Sequence, residues 1–396
     1  MKNIAITGGG TGGHLSIARA FGIECKKRGF NAIYIGSTSG QDKAWFESSD
    51  IFSRAYFLQS MGVVNKRGLG LLKSLWLQIK AVFKARAILK NHNIEAVISV
   101  GGFSAGGASG AAILARIPLF IHEQNSTIGT LNKILAPFAK AVFGSFDLDL
   151  PNFVRTAYPI DEIFRQNART RREIRSILFL GGSQGAVAIN DFALQLAQEL
   201  IKCDIKIIHQ CGKGDFERVK NAYKAMGLDS SLDSRESCES NADSSKILQD
   251  SSADESKLDS RESSADSSLD SQPLKARFGD KITLFAFDKN IAHYITKADL
   301  CVSRAGASSL WELVANRAPC YFVPYPFAAK NHQLYNALFL QKYGLCEVAR
   351  QRDLSVGSFL SYLDSADFAK ISANLGDFKS QNGAKEILDL IIKRVK

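Results

Sequence analysis

Short apolar runs punctuate this chain, and each is followed by turn residues and then by apolar positions at helical spacing. In the first half the runs are "NIAIT", "NAIYIG", "AVISV", "PLFI" and "KAVFG". In the second half they are "SILFL", "IKIIH", "ITLFAF", "DLCVS" and "CYFVP". Such runs, alternating with longer helical patterns, predict strands buried on both faces of parallel, doubly wound sheets. The pattern also restarts. Residues 2–28 read strand, glycine turn, helix, and so does "RSILFLGGSQGAVAINDFALQLAQEL". Two Rossmann-like domains are expected, joined near Pro159 to Arg172, with "GAKEILDLIIKRVK" as a final amphipathic helix.

Composition narrows the class. A chain of 396 residues suits two domains better than one core. No apolar run approaches the roughly 18 residues of a membrane span, and no secretory leader pattern precedes the first strand. A cytoplasmic protein that does not cross a membrane is expected. The seven cysteines are scattered, mostly inside apolar runs, and read as buried thiols rather than a disulfide framework or a zinc site. Net charge is +11, yet residues 228–272 hold twelve acids against four bases in a serine-rich background. That leaves about +19 on the rest, which calls for an anionic partner: nucleic acid, anionic lipid or a phosphorylated substrate. The acidic stretch contains near-duplicates, "LDSRESCESNADSS" and "LDSRESSADSSLDS". Residues 228–277 are therefore expected to form a disordered, low-complexity insertion in the second domain.

Candidate chemistry collects after the strands. Residues 8–14, "GGGTGGH", open the first helix, and Gly8, Gly10 and Gly13 fit G-x-G-x-x-G. A dinucleotide site also needs an acid at the end of the second strand, about 20 residues on. That strand ends Gly36-Ser37-Thr38, and Asp42 comes later. No Gly-Lys-Ser/Thr follows for a nucleotide-triphosphate loop. An anion cradle at a helix N-terminus remains, beside the plainer alternative of a tight turn without a ligand. His14 stands where open α/β sheets bind ligands and titrates near neutrality, as a general base should; it also reads as a simple helix-start residue.

"HEQN" places His122, Glu123, Gln124 and Asn125 after another strand. In the second half, "GGSQGA" offers the Ser183 hydroxyl beside free amides, and "HQCGKG" ends the next strand. In "SRAGASSLWELVA", small residues let a ligand approach a helix start, with Glu312 one turn in. Ser309 and Glu312 also have capping-box spacing, in which the carboxylate merely caps an amide. Gln333 and Asn336 share one helical face. Asp147-Leu148-Asp149 is too short a match to imply a metal, and none is expected. Residues 66–86 carry Leu69, Leu72, Trp76, Ile79 and Phe83 among Lys66, Arg67, Lys73, Lys80, Lys84 and Arg86. One face must pack on the domain; the excess apolar surface and the cations suit either core alone or core plus contact with anionic lipid.

"GGGTGGH", "GGFSAG", "HEQN", "GGSQGA", "HQCGKG", "SRAGASSLWE" and "HQLYNA", in this order, resemble the MurG family across nearly the whole chain except the acidic stretch. The resemblance implies the GT-B architecture: two Rossmann-like parallel-sheet domains facing each other across a cleft. Residues 1–160 would be the acceptor and membrane-side domain, 161–375 the UDP-GlcNAc domain, and 376–396 a helix packing back on the first domain. It implies inverting transfer of N-acetylglucosamine from UDP-GlcNAc to the C4 hydroxyl of MurNAc in undecaprenyl-diphospho-MurNAc-pentapeptide (lipid I), forming lipid II for peptidoglycan, with no metal or cofactor. A UDP-GlcNAc 2-epimerase, which shares the two-domain plan, or another GT-B nucleotide-sugar enzyme is the alternative. The place of work would be the cytoplasmic face of the inner membrane, peripherally bound, with no nucleic acid partner; cell-wall synthesis or division proteins are possible partners.

By position, the resemblance makes His14 the base, with Glu123 and Asn125 as further catalytic candidates. Thr11, Gly12, Gly13 and Asn125 would belong to the substrate site. Ser183 would meet donor phosphate, and Phe287 and Asp288 the uracil. Ala307, Ser308, Ser309 and Glu312 would hold diphosphate and ribose, with Glu312 on the ribose hydroxyls and Gln333 reading the sugar. The chain departs from the family at three places. Phe103 replaces a tyrosine, "YPID" puts Asp161 where an arginine is expected, and "LSIA" after His14 lacks a proline. Deleting residues 230–270 is expected to leave transferase activity near wild type; a folded but inactive deletion would show that the stretch takes part.

Overall fold

All ten apolar runs form strands. The computed structural model describes residues 1–60, 62, 68–182, 185–227, 230–231, 274–378 and 382–395. Strands β1 to β7 are Asn3–Thr7, Asn31–Ser37, Arg54–Leu58, Ala96–Ser99, Leu119–Glu123, Ala141–Gly144 and Phe153–Arg155. They make one parallel sheet in the order β3-β2-β1-β4-β5-β6-β7. Strands β8 to β15 are Ser176–Leu180, Lys206–Gln210, Ser230–Ser231, Lys275–Phe278, Ile282–Phe285, Leu300–Ser303, Cys320–Phe322 and Glu347–Val348. They form a second sheet in the order β10-β11-β12-β9-β8-β13-β14-β15. The central strands carry unbroken apolar runs because helices cover both faces; Ile4, Ala5 and Ile6 of β1 have no exposed surface.

Two expectations need correction. The second sheet is not wholly parallel, since β11 runs antiparallel to both β10 and β12. A short turn through Gly279, at φ +57°, joins β11 to β12, and so short a connection permits only antiparallel pairing. The expected insertion also ends too late. Residues 275–277 belong to β11, where Ala276 and Phe278 are buried and Arg277 is exposed, the alternation of a half-covered strand. Residues 232–273 lie outside the described part.

The inter-domain linker is fixed by a buried arginine. Arg171 has no exposed surface and donates to the carbonyls of Ala298 at 3.0 Å, Arg169 at 2.9 Å and Ile295 at 2.9 Å. Carbonyl dipoles, in place of a carboxylate, satisfy its donors. The last helix, Gly383–Val395, returns to the first sheet's side. It buries Ile387, Leu388 and Ile391, and Asp389 accepts from Arg28 at 2.6 Å. Glu386 accepts the Ala157 amide at 2.8 Å.

The basic helix spans Gly68–Asn91. The large side chains Leu72, Trp76, Ile79 and Phe83 are each more than half exposed. The face that packs is small: Ala81 and Ala85 are buried, and Ala81 Cβ would lie 3.0 Å from a Cβ at Gly107 of the helix Ala105–Leu114. Small residues bring the two helix axes close and leave the large ones outside. Lys80 Nζ sits 3.4 Å over the Trp76 ring. No helix among the described residues is long and apolar enough to cross a membrane. Gly107→Leu is expected to cost about 1–3 kcal/mol by overpacking. Trp76→Ala should stay within about 0.5 kcal/mol of wild type, as surface changes do. Denaturant unfolding of both variants checks the assignment of faces.

Candidate active site

Parallel strands end on one edge, so the turns after β1, β4 and β5 lie side by side. The Gly9 amide donates to the Gly101 carbonyl at 3.1 Å. A Cβ on Gly102, at φ +78°, would come within 2.1 Å of the Gly9 oxygen. Only glycine lets the two turns pack backbone on backbone. The corresponding edge of the second sheet faces this one.

Two helices start where the edges meet. The helix Gly12–Lys27 has Thr11 as its N-cap, and the helix Ala307–Ala315 has Gly306. Neither has a side-chain cap or an acid in its first turn. Ser308 Oγ donates to the Gly13 carbonyl at 3.3 Å and lies 3.2 Å from the Tyr158 hydroxyl and 3.4 Å from Ser16 Oγ. Two uncapped helix starts therefore converge, with the Ser308, Ser16 and Tyr158 hydroxyls between them. Helix N-termini carry positive potential, so the junction is suited to an anion. Because the second helix begins at Ala307, the capping-box alternative for Ser309 and Glu312 falls: Ser309 is already inside the helix and exposed.

His14 is the third residue of the first helix, in its first turn, and is half-buried. Its Nδ1 lies 2.9 Å from Thr11 Oγ1, and its Nε2 lies 3.0 Å from Gln124 Nε2. An amide nitrogen only donates, so Nε2 carries the lone pair and Nδ1 the proton. Burial lowers the His14 pKa to about 4, against the raising effect of the Asp42 charge and with a further lowering from His332. The ring is neutral in the physiological range and free to accept a proton.

His122 and Glu123 end β5 and Gln124 and Asn125 follow it, so only two of the four expected after the strand lie beyond it, and the four divide their tasks. His122 is fully buried, edge-on to Tyr158 at 5.5 Å and to Phe21 at 6.2 Å, and burial lowers its pKa to about 3. Glu123 is buried with both oxygens occupied: Asn125 N–H at 3.0 Å, Gly129 N–H at 2.9 Å and Asn132 Nδ2 at 2.8 Å. It folds the loop that presents Gln124 and Asn125, and burial raises its pKa despite those donors. Asn125 crosses to the second domain, where Asn336 Nδ2 donates to its Oδ1 at 3.2 Å. Asn336 Oδ1 also accepts the Ser126 amide at 2.9 Å.

Glu312 is pushed up to about 7 by burial and by the Asp161 charge. Asp161 itself forms an ion pair with Arg19 of the first helix. The departure from the family pattern thus becomes a tie between the linker and the helix that carries His14. Phe103, the other departure, packs its ring against Gly10.

The remaining candidates spread along the second edge. Gln333 starts the helix His332–Gln341 and its Oε1 accepts the Tyr325 amide at 3.0 Å. Arg304 is committed to the Val323 and Pro324 carbonyls at 3.0 and 3.3 Å and to Gln351 at 2.9 Å. Phe287 and Asp288 follow β12, three strands from β13 in the sheet order, about 14 Å at ordinary strand spacing. Asp288 is held by Lys275 at 3.0 Å and Tyr294 at 3.0 Å. Ser183 lies outside the described residues. Asp147 pairs with Arg155 at 2.9 Å. Sequence reasoning missed Tyr158 and Arg19: a tyrosine before a linker proline and an arginine on a helix give no local sign that they meet the cleft.

Comparison with known proteins follows the same lines. The glycosyltransferase family 28 N-terminal domain matches residues 4–144, and the family 28 C-terminal domain matches residues 176–239 and 242–391. A Helicobacter hepaticus protein is 48% identical over 98% of both chains. A Helicobacter pylori protein is 47% identical over 98% of this chain and 99% of its own. Both are named UDP-N-acetylglucosamine–N-acetylmuramyl-(pentapeptide) pyrophosphoryl-undecaprenol N-acetylglucosamine transferase. Among solved structures, MurG of Acinetobacter baumannii superposes with a TM-score of 0.73 at 23% identity, covering 99% of this chain and 100% of that one. A UDP-N-acetylglucosamine 2-epimerase superposes at 0.58 with 8% identity, covering 99% of this chain and 96% of that one. These superpositions establish the GT-B fold, which both activities share.

The buried histidines make a prediction about pH. His122 and His209 are fully buried, with pKa values of about 3 each, below the unfolded value of 6.5. The unfolded chain therefore binds more protons below pH 6.5, and stability falls as pH falls. Each histidine is expected to remove about 2 kcal/mol by pH 5. Glu312, raised to about 7, gains stability over the same window, so thermal unfolding of Glu312→Gln between pH 7 and pH 5 reads the loss; a flat profile there would contradict the burial of neutral rings.

Proposed function

The chain belongs to glycosyltransferase family 28, and from that premise we propose that it makes lipid II. It transfers N-acetylglucosamine from UDP-GlcNAc to the C4 hydroxyl of the muramoyl sugar of lipid I, with inversion at the anomeric carbon. The observation that carries this reading is near-half identity, end to end, to relatives named for that transfer. The fold alone does not choose between transferase and epimerase.

Residues 1–160 form the acceptor side, 161–375 the donor side, and 376–396 the returning helix. UDP lies along the second edge, with uracil at Phe287 and Asp288, ribose at Glu312, and diphosphate at the amides of Ala307, Ser308 and Ser309. Ser183 belongs to the same phosphate site. Gln333 reads the sugar. The acceptor enters over Thr11, Gly12, Gly13 and Asn125. Its C4 hydroxyl takes the place of the Gln124 amide on His14 Nε2. As the C4 oxygen attacks C1, His14 takes the hydroxyl proton, and the bond from C1 to the phosphate oxygen breaks with UDP carrying away the electron pair. The facing helix starts stabilise the charge that grows on the leaving phosphate. Glu123 acts through the loop it folds, and Asn125 through its bond to Asn336.

A polyprenyl acceptor places the work at a membrane surface. Leu72, Trp76, Ile79 and Phe83, exposed among lysines on Gly68–Asn91, suit contact with anionic lipid at the cytoplasmic face of the inner membrane. The net positive charge of the chain favours the same surface.

Incubation with UDP-GlcNAc and a lipid I analogue should release UDP, and UDP-GlcNAc alone should not. No release with both present would sink the reading, and conversion of the sugar without acceptor would favour the epimerase. His14→Ala should leave UDP-GlcNAc affinity largely intact and lower kcat about 100-fold. A surviving kcat would remove His14 from the role of base.

A further inference from the structure

We propose that Asp42 is a positioning residue for this transfer: its buried carboxylate fastens the first glycine turn and, through Thr11, orients His14. The proposal rests on the reading of His14 as the base. In sequence Asp42 stands too late for the ribose-binding acid of a dinucleotide fold. In space the short helix Asp42–Phe46 folds back and brings it beneath "GGGTGGH". It has no exposed surface. Its Oδ2 accepts the Gly10 amide at 2.6 Å, and its Oδ1 accepts the Ser37 amide and the Tyr34 hydroxyl at 3.0 Å each. No lysine or arginine forms an ion pair with it among the described residues.

The site is built around this carboxylate. A Cβ on Gly9 would lie 2.6 Å from its Oδ1, and a Cβ on Gly36 2.7 Å, so the glycines leave room for it. Tyr34, whose single hydroxyl proton is shared between Asp42 and the Gly8 carbonyl at 2.8 Å, is wedged against Phe46 with ring centroids 4.5 Å apart. By taking the Gly10 amide, Asp42 holds that residue at φ +88° and sets the direction in which Thr11 leaves the turn. Thr11 in turn holds His14 Nδ1. The donor that Asp42 takes is withdrawn from any bound anion, so a ligand at this turn meets the helix start rather than the turn's own Gly10 amide.

The charge has a second consequence. When His14 accepts the hydroxyl proton, the imidazolium that forms is favoured by the nearby carboxylate. The groups facing His14 are Asp42 from this helix, His332 from the helix His332–Gln341 and His122 from β5. Asp42 is the only acid among them, and burial and His332 disfavour the imidazolium. Removing its charge should make His14 a weaker base and move its titration down.

Asp42→Asn in the full chain tests this, with Tyr34→Phe as a variant that loosens the carboxylate without changing charge. Asp42→Asn should lower kcat about 10-fold or more, hold KM for UDP-GlcNAc within about 3-fold, and shift the acid limb of kcat/KM to lower pH. Tyr34→Phe should lose less and leave the acid limb in place. In a His14→Ala background, Asp42→Asn should add little further loss, since both act through one group. An unchanged kcat and pH profile would overturn the proposal. So would a loss seen as weaker UDP-GlcNAc binding and a lower unfolding temperature with the acid limb unmoved, which marks a structural role. If His14→Ala alone keeps its turnover, the base reading fails first; if only Asp42→Asn is silent, the base reading stands and this proposal falls.

Discussion

Two helix N-termini that meet without caps are the constraint on which the rest depends. Gly12–Lys27 and Ala307–Ala315 begin within hydrogen-bond reach of each other, and neither first turn has an acid or a capping side chain. Like ends of helix dipoles repel, each interaction being worth roughly 0.3–1 kcal/mol near a surface. The junction tolerates this because neutral hydroxyls of Ser308, Ser16 and Tyr158 fill it. Its natural complement is a group with negative charge on both sides. A diphosphate between two sugars has that form.

The two-sheet fold exists, in this view, to deliver those two ends. Parallel strands put all their following turns on one edge, and the linker and returning helix hold the edges opposite each other. Arg171 locks the linker to the second domain through carbonyls, and Asp389 and Glu386 lock the returning helix to the first. Groups that would otherwise place charge in the cleft are handled by burial. Histidines 14 and 122 are kept neutral, and the Glu123 carboxylate is turned inward onto its own loop. The large apolar side chains of Gly68–Asn91 stay outside because Ala81 and Ala85 supply the packing face instead.

Much of this was legible in the sequence, and the reasons for the exceptions are physical. Strands buried on both faces announce themselves as apolar runs, so all ten were found. Five of the described strands were missed: β3, "RAYFL", and β7, "FVR", because their residues are mostly only partly covered, β11, "KARF", because it alternates instead of running apolar, and β10 and β15 because two residues make no pattern. The glycine turns, His14 and Glu312 drew notice because they follow strands, and in a parallel sheet the turns after neighbouring strands gather on one edge. Asp42 was discounted on its spacing, since nothing in the letters shows a short helix folding back. The Arg19–Asp161 pair was invisible for a different reason: its partners are far apart in sequence, and although Asp161 stood out, nothing local pointed to Arg19. For the basic helix the sequence left two readings open, core alone or core plus an exposed apolar surface, because large residues at helical spacing look like core whichever way they point; the structure exposes Leu72, Trp76, Ile79 and Phe83.

The most direct test places a carboxylate where the helix ends meet. Ser308→Asp puts negative charge at both N-termini, which favours the folded protein and competes with a bound anion. Titration with UDP should show affinity reduced at least about 10-fold, while the unfolding temperature does not fall. Wild-type UDP affinity in that variant would contradict the claim that the converging helix starts hold the diphosphate.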